Sequence, residues 1–388
     1  MKKLLFSWSL IILATSFLQA QVQGQVTGAD DRTVITTAVP FLTITPDSRA
    51  AGMGDAGVAT SPDANSGYWN PAKFVFIDKG YGFTTSYTPW LARLVNDMKL
   101  IYLSGFYKLD RNQVVAASLK YFDMGAIEFR DGLNNPNGRY NPREYAFDVS
   151  YSRRLTENLS LGGSLRYIRS NLTGSNPASA PDARPGNSVA VDLGVFYTKQ
   201  LNSKNSTLSL AGTITNLGSK MTYTDASHKD FIPTNLRLGG AYKKMLDPMN
   251  SLTFALDFNK LMVPSNQNDR YNKPLLSGIF GSFSDAHGGW HEEFAEVTIS
   301  SGLEYWYRDF FAARLGYFHE EKSKGNRKYL TAGLGFRYEM AKRDVFGLDM
   351  AYMIPTTIGQ NALAETIRVT LFYLLPVKEG KQNDTTGD

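Results

Sequence analysis

The sequence predicts an all-β fold: a 14-stranded antiparallel transmembrane outer-membrane β-barrel with a short N-terminal helical hatch or plug segment. Three observations carry the prediction. Extended segments alternate apolar and polar residues with a period of two, the strand signature. Most of them run for about 10 to 14 residues, longer than a usual soluble strand and enough for a tilted strand to cross a bilayer. Their connections alternate between short and long, as in bacterial outer-membrane barrels.

Taken in order, residues 1–20 read as a secretory signal peptide. Lys2 and Lys3 form a charged start, Leu4 to Phe17 an apolar stretch, and Leu18-Gln19-Ala20 a cleavage point before Gln21. The apolar stretch is shorter than the roughly 20 residues of a spanning helix. Residues 21–80 form the hatch segment and 81–376 the barrel, with strands starting near residues 82, 99, 112, 144, 158, 187, 206, 234, 251, 296, 310, 328, 345 and 365. In 251–260, Leu252, Phe254, Leu256 and Phe258 alternate with Thr253, Ala255, Asp257 and Asn259. Ile367, Val369, Leu371 and Tyr373 alternate in the same way with Arg368, Thr370 and Phe372. Short turns fall at 110–112, 156–158, 202–205, 247–250, 308–309 and 342–344; the connections between them are mostly long, as at 131–143, 173–186, 218–233 and 264–295. An even strand number with short turns on one rim places both barrel ends on the periplasmic side. Residues 377–388 form a short periplasmic tail.

Composition narrows the function classes. The chain has no Cys, which excludes a disulfide framework, a thiolate metal site and a Cys nucleophile. Without Lys2 and Lys3, 39 basic residues face 36 acidic ones with no Lys/Arg cluster, so nucleic acid is not an expected partner. The faces opposite the apolar ones carry Asp148, Arg166, Asp192, Arg237, Asp257, Glu304, Arg314, Arg337, Asp349 and Arg368. An Arg or Lys facing lipid near the midplane would cost about 2–4 kcal/mol, so these side chains turn inward as lumenal ion pairs.

A fourteen-stranded lumen is too wide for its own wall to fill, and residues 26–80 are the available filling. Asp47 caps a short helix at Ser48-Arg49-Ala50-Ala51, which Gly52 and Gly54 weaken. Asp63 is expected to cap a second through Trp69, and Asn70-Pro71-Ala72 starts a third. Val39, Phe41, Leu42, Met53 and Phe74 give the stretch more apolar content than a disordered tail holds. The hatch residues expected to matter are Arg49, Gly52, Met53, Gly54, Asp55, Asp63, Trp69, Asn70 and Pro71, with Arg49, Asp55 and Asp63 partnered by the charged wall.

"SRAAGMGDAGVA" at 48–59 followed by "WNPAK" at 69–73 resembles the N-terminal hallmark of the FadL-like outer-membrane barrels. With "SYTPWL" at 86–91, the likeness is closer to the PorV branch, the outer-membrane component of type IX secretion in Bacteroidota. It runs through the whole chain and is densest over residues 38–107. The resemblance implies a carrier that docks on a large SprA-like translocon barrel and receives secreted cargo by its C-terminal signal domain. The cargo then passes to a PorU-like sortase. It requires no chemistry by the barrel and no cofactor.

The residues bear on the alternatives. A FadL-type transporter of hydrophobic small molecules needs an apolar lumenal path, which charged inward faces oppose. The 264–295 connection carries Leu275, Leu276, Ile279, Phe280, Phe283 and Trp290, apolar residues suited to partner binding or to covering the barrel mouth. Tyr87, Trp90 and Leu91 by the first outer loop invite the same partner reading, or that of interfacial girdle residues. Four His stand at 228, 287, 291 and 319 without a Gly-x-Ser-x-Gly elbow, so no enzyme is expected. His287, His291, Glu292 and Glu293 in "HGGWHEE" have glycines that oppose a helical ligand pair, so no metal is expected either.

Overall fold

A computed structural model describes residues 34–91, 97–130, 133–172, 184–201, 205–224, 229–340, 343–356 and 366–376. The expected signal peptide, the tail from 377 and His228 lie outside the described residues. Among the described residues there are sixteen strands. They are β1 (Tyr81–Pro89), β2 (Lys99–Lys108), β3 (Gln113–Asp123), β4 (Ile127–Arg130), β5 (Pro136–Tyr140), β6 (Arg143–Arg154), β7 (Leu159–Asn171) and β8 (Gly186–Gln200). Then follow β9 (Ser206–Gly218), β10 (Asn235–Asp247), β11 (Asn250–Leu261), β12 (Val297–Tyr307), β13 (Phe311–His319), β14 (Lys328–Glu339), β15 (Val345–Pro355) and β16 (Ile367–Leu375).

Fourteen of these close into one antiparallel barrel, and β1 seals it by pairing with β16, Tyr81 opposite Leu375 and Tyr87 opposite Val369. Closure leaves no unpaired edge, the condition for a sheet in lipid. The other two strands, β4 and β5, make a separate hairpin in the second outer connection, where the sequence suggested only a long loop.

The alternation sorts the two faces as the pattern predicts. On β11, Leu252, Phe254 and Phe258 are exposed on the outside, while Ser251, Thr253, Ala255 and Asp257 are buried inside. On β16, Ile367 and Leu371 point out while Arg368, Thr370 and Phe372 are buried. The pairing slips once between β8 and β9, at Asp192. Its carboxylate accepts the Asn216 amide at 2.7 Å, and Asn216 takes a left-handed backbone (φ 58°) to offer it.

Residues 34–80 run down the lumen as the plug. Its helices are α1 (Pro40–Thr43), α2 (Ser48–Ala51), α3 (Ser66–Trp69) and α4 (Pro71–Phe76), of which α1 and α4 are 3-10 turns. The upper end sits at the long-loop mouth, where the Ala38 amide donates to Phe231 and Phe41 and Leu42 pack with Leu100, Phe122, Ala146 and Ile168. The lower end meets the short-turn rim. There the Ser160 hydroxyl donates to the Ala72 carbonyl at 2.6 Å, and the Gly80 amide donates to Leu375.

Candidate functional site: the plugged lumen and its outer face

The plug is fastened by charge. Asp47 caps α2 by accepting the Ala50 amide at 2.9 Å, and its second oxygen accepts the Trp69 indole N–H at 2.6 Å, which ties α2 to α3. The cap orients Arg49 at the wall. Its Nε and Nη2 grip both oxygens of Glu304 at 2.9 and 2.8 Å, and Nη1 reaches Asp63 at 2.9 Å. Glu304 on β12 also accepts from Arg314 on β13 at 2.8 Å, and Arg314 reaches Asp349 on β15 at 2.7 Å. Arg49, Glu304, Arg314 and Asp349 are all buried, so each charge depends on its neighbours for solvation.

Local fields follow from this packing. Burial works against the Arg49 charge, but Glu304 and then Asp63 outweigh it and push its pKa above the usual guanidinium value. Burial likewise opposes the Asp63 charge, and Arg49 with Lys73 pulls the carboxyl below its usual range. Asp47 is pushed up to about 6 by burial and the Asp63 charge, against the two N–H donors that hold it. Lys73, buried, is brought down to about 8 and donates to the Gly57 carbonyl at 2.8 Å.

Backbone contact completes the seat. Asp257 on β11 accepts the amides of Gly57 and Val58 at 2.7 and 2.9 Å. Gly54, with φ +66°, donates to the Thr331 hydroxyl at 2.9 Å and lies so close to β13 that a Cβ on Gly316 would fall 2.0 Å from its nitrogen. Met53 beside it is fully buried. Asn70 accepts the Ala72 amide and starts α4 at Pro71, as the sequence suggested. Asp63, by contrast, does not cap α3. The preceding residue there is Asn65, and the Asp63 oxygens are taken by Arg49 and the Asn65 amide. Asp55 accepts from the Tyr329 hydroxyl at 2.5 Å and has Arg368 3.9 Å away.

Between the plug and the wall, reaching up to the outer loops, lies a cavity of about 610 Å³. Its walls include Thr36, Thr43, Thr45, Asp55, Glu320 and Arg327, and the Arg237 guanidinium lies over the Tyr68 and Trp69 rings at 4.9 and 5.1 Å. Val34, Ile35, Pro40, Leu261 and Phe318 add apolar surface, so the lining is mixed.

The 264–296 connection folds into α5 (Gln267–Asn272), α6 (Leu275–Gly281) and α7 (Trp290–Ala295). Its apolar residues part into two sets. Ile279 is buried and Leu275 partly so, packed on Phe231, Met262 and Val263 over the mouth. Leu276 and Phe280 are exposed on the opposite face of α6, as are Trp290 and Phe294, 74 and 73% accessible, on α7; Phe283 is partly exposed. The connection is held down by Lys260, whose ammonium meets Glu293 and Glu296 at 2.9 and 2.5 Å, and by Lys324, which meets Glu292 and Glu296 at 2.6 and 3.1 Å. Glu292 and Glu293 are therefore engaged by lysines. Of the first-loop residues, Tyr87 is exposed on the outer wall. Trp90 is partly buried, edge-on to Phe122 at 6.3 Å, and Leu91 is partly exposed with φ 51°.

Sequence reasoning passed over Lys260 and Phe294. The strand parity that makes Phe258 face lipid also puts Lys260 on that side, and Phe294 stands one helical turn after Trp290.

Residues 27–268 match the family described as Type IX secretion system protein PorV. No curated protein matches in sequence. Similar solved structures include the Ralstonia pickettii toluene transporter TbuX (12% identity, TM-score 0.46, covering 85% of this chain and 97% of that one). Also similar is the Pseudomonas putida toluene transporter TodX (11%, 0.48, 84% and 95%). A third is a Pseudomonas aeruginosa FadL homologue (11%, 0.46, 89% and 100%).

Proposed function

This chain belongs to the PorV family of type IX secretion system proteins, and from that premise we propose that it is a non-enzymatic outer-membrane carrier. In this reading a signal peptide exports it to the outer membrane of a Gram-negative, Bacteroidota-like cell. It docks on a large SprA-like translocon barrel, takes cargo by the C-terminal signal domain and delivers it to a PorU-like sortase. The observation that carries the reading is the division of the molecule. The plug is bound to the wall by buried ion pairs, while the outer connection presents Leu276 and Phe280 to solvent. An apolar pair exposed beside a filled lumen suits protein docking better than passage through the barrel.

Transport of hydrophobic small molecules is the alternative, and the plug weighs against it: Arg49 ties it to Glu304 inside the lumen, and the cavity beside it interrupts its apolar surface with Asp55, Arg237, Glu320 and Arg327 where an apolar ligand needs a continuous apolar path. A photo-crosslinker replacing Phe280 or Leu276, expressed in the native host, tests the carrier reading. Adducts to a large barrel or to chains bearing the C-terminal signal are expected, and gene deletion should retain that cargo in the periplasm. Normal secretion in the deletion strain would refute the reading.

A further inference from the structure

Outside the barrel, at its outer rim, lies an apolar groove of about 230 Å³ that the carrier reading does not use. Its back wall is the lipid-facing surface of three strands. Leu238 on β10 stands opposite Phe258 on β11, and one row further out Leu236, Lys260 and Val297 stand side by side. Its outer wall comes from the 264–296 connection, with Phe283, Trp290 and Phe294.

The lysine is the informative residue. Parity points Lys260 toward lipid, yet it is buried, because α7 folds down over the rim and brings Glu293 and Glu296 onto its ammonium. Neutralising that cation makes the groove floor compatible with hydrocarbon. The same fold carries Trp290 and Phe294 outside the barrel wall, beside Leu238 and Phe258, which already face the acyl chains. The groove thus continues the lipid-contacting band upward, and an indole at that height suits the boundary between head groups and acyl chains.

We propose that this groove holds an acyl chain of an outer-leaflet lipid, with Trp290 and Phe294 closing over it, so that α7 is seated in the membrane. Leu276 and Phe280, which do not line the groove, remain the protein-facing part of the connection.

The purified full-length barrel, and a Trp290→Phe variant, are reconstituted in dioleoyl-phosphatidylcholine vesicles and in the same lipid with brominated acyl chains. The difference between the two proteins isolates the Trp290 emission. A lipid-seated indole gives blue-shifted emission, loses emission to the brominated chains, and resists aqueous iodide. Emission quenched by iodide and indifferent to brominated lipid would overturn the proposal. Shielding from both quenchers would overturn it as well, since a protein surface would then fill the groove. Phe294→Ser supplies a second reading: opening the groove should raise iodide access to Trp290 while heat-modifiable migration of the barrel stays unchanged. Unaltered iodide access in that variant would count against the closure.

Discussion

Replacing Arg49 with Met should undock the plug without dismantling the barrel. Arg49 makes a two-pronged ion pair with Glu304 and a second ion pair with Asp63, and is 4% exposed. Removing one partner from a buried, hydrogen-bonded ion pair costs about 3–5 kcal/mol, largely because the remaining charge is left uncompensated. Glu304 keeps Arg314 at 2.8 Å, so the loss falls mainly on Asp63 and the lower part of that range applies. About 3 kcal/mol is a little over two factors of ten, so the undocked population should rise roughly a hundredfold. The fourteen strand pairings are untouched, and the barrel should still migrate as a folded, heat-modifiable species. Planar-bilayer recordings are the direct assay, with frequent openings in Arg49→Met and rare ones in wild type. A Glu304→Gln partner closes the cycle: residues sharing one network couple by about 0.5–3 kcal/mol, so the double variant should open less than the sum of the singles predicts. Conductance equal to wild type in Arg49→Met, or strict additivity in the double variant, would refute the idea that this network holds the plug.

Gly316→Ala would put a Cβ 2.0 Å from the Gly54 nitrogen and 2.1 Å from the Met53 carbonyl carbon, backbone against backbone. Such overpacking costs about 1–3 kcal/mol or more, so barrel yield should fall and vancomycin entry rise, whereas Gly281→Ala, with nothing within 4 Å, should match wild type. Asp47 is pushed up to about 6 from an ordinary 3.8, so the docked plug holds its proton more tightly than the free segment and docking weakens as pH rises between those values. The stability difference between wild type and Asp47→Asn, followed by thermal gel shift, should change with pH below about 6 and level off above it; a difference that is flat across the range would refute this. Glu296 serves both Lys260 and Lys324, so Glu296→Gln should make the 264–296 connection several-fold more sensitive to external protease, and unchanged cleavage would show that the cluster does not hold it.

Much of the barrel was legible because lipid outside and polar lumen inside impose one rule on every strand. Leu252-Phe254-Leu256-Phe258 could be assigned a face from alternation alone. The plug's starts at Asp47 and Asn70-Pro71 were legible for a similar reason, since a cap is a local contact. Asp63 was misassigned because its role is tertiary: Arg49, fourteen residues earlier, takes the oxygen that a helix start would use. The hairpin of β4 and β5 escaped notice because 131–143 carries Asn, Pro and Gly without alternation, and its pairing lies outside the barrel sheet. Trp90, three residues after the exposed Tyr87, falls on the inward parity of β1, but its neighbour Phe122 on β3 is a tertiary contact that alternation does not specify. Lys260 is a misfit of another kind, a buried cation on the lipid-facing parity of β11, and the fold of α7 over it explains how it is accommodated there.

In the proposed carrier reading, that misfit bears on how cargo is handled while the lumen stays plugged. The plug's Arg49 is satisfied from within the lumen by Glu304 on β12, which is braced in turn by Arg314 on β13 and Asp349 on β15. The outer connection's charges are satisfied at the rim, by Lys260 at the end of β11 and by Lys324 in the next outer loop. None of these ion pairs is shared between the two networks. A partner that shifts α6 or α7 must therefore break lysine–glutamate contacts at the rim, but it does not remove any counter-ion from Arg49. The two do touch where Arg270 on α5 donates to the Thr36 carbonyl at 2.5 Å and Ile35 packs beneath Leu275 and Ile279. Coupling from the outer face to the plug thus has a definite route through the segment above α1. Arg270→Ala should cut that route, leaving the conductance of the resting barrel unchanged while abolishing any change in it on cargo binding. If the variant's resting conductance rose to the level of Arg49→Met, the upper segment would be part of the lock itself and the separation would be wrong.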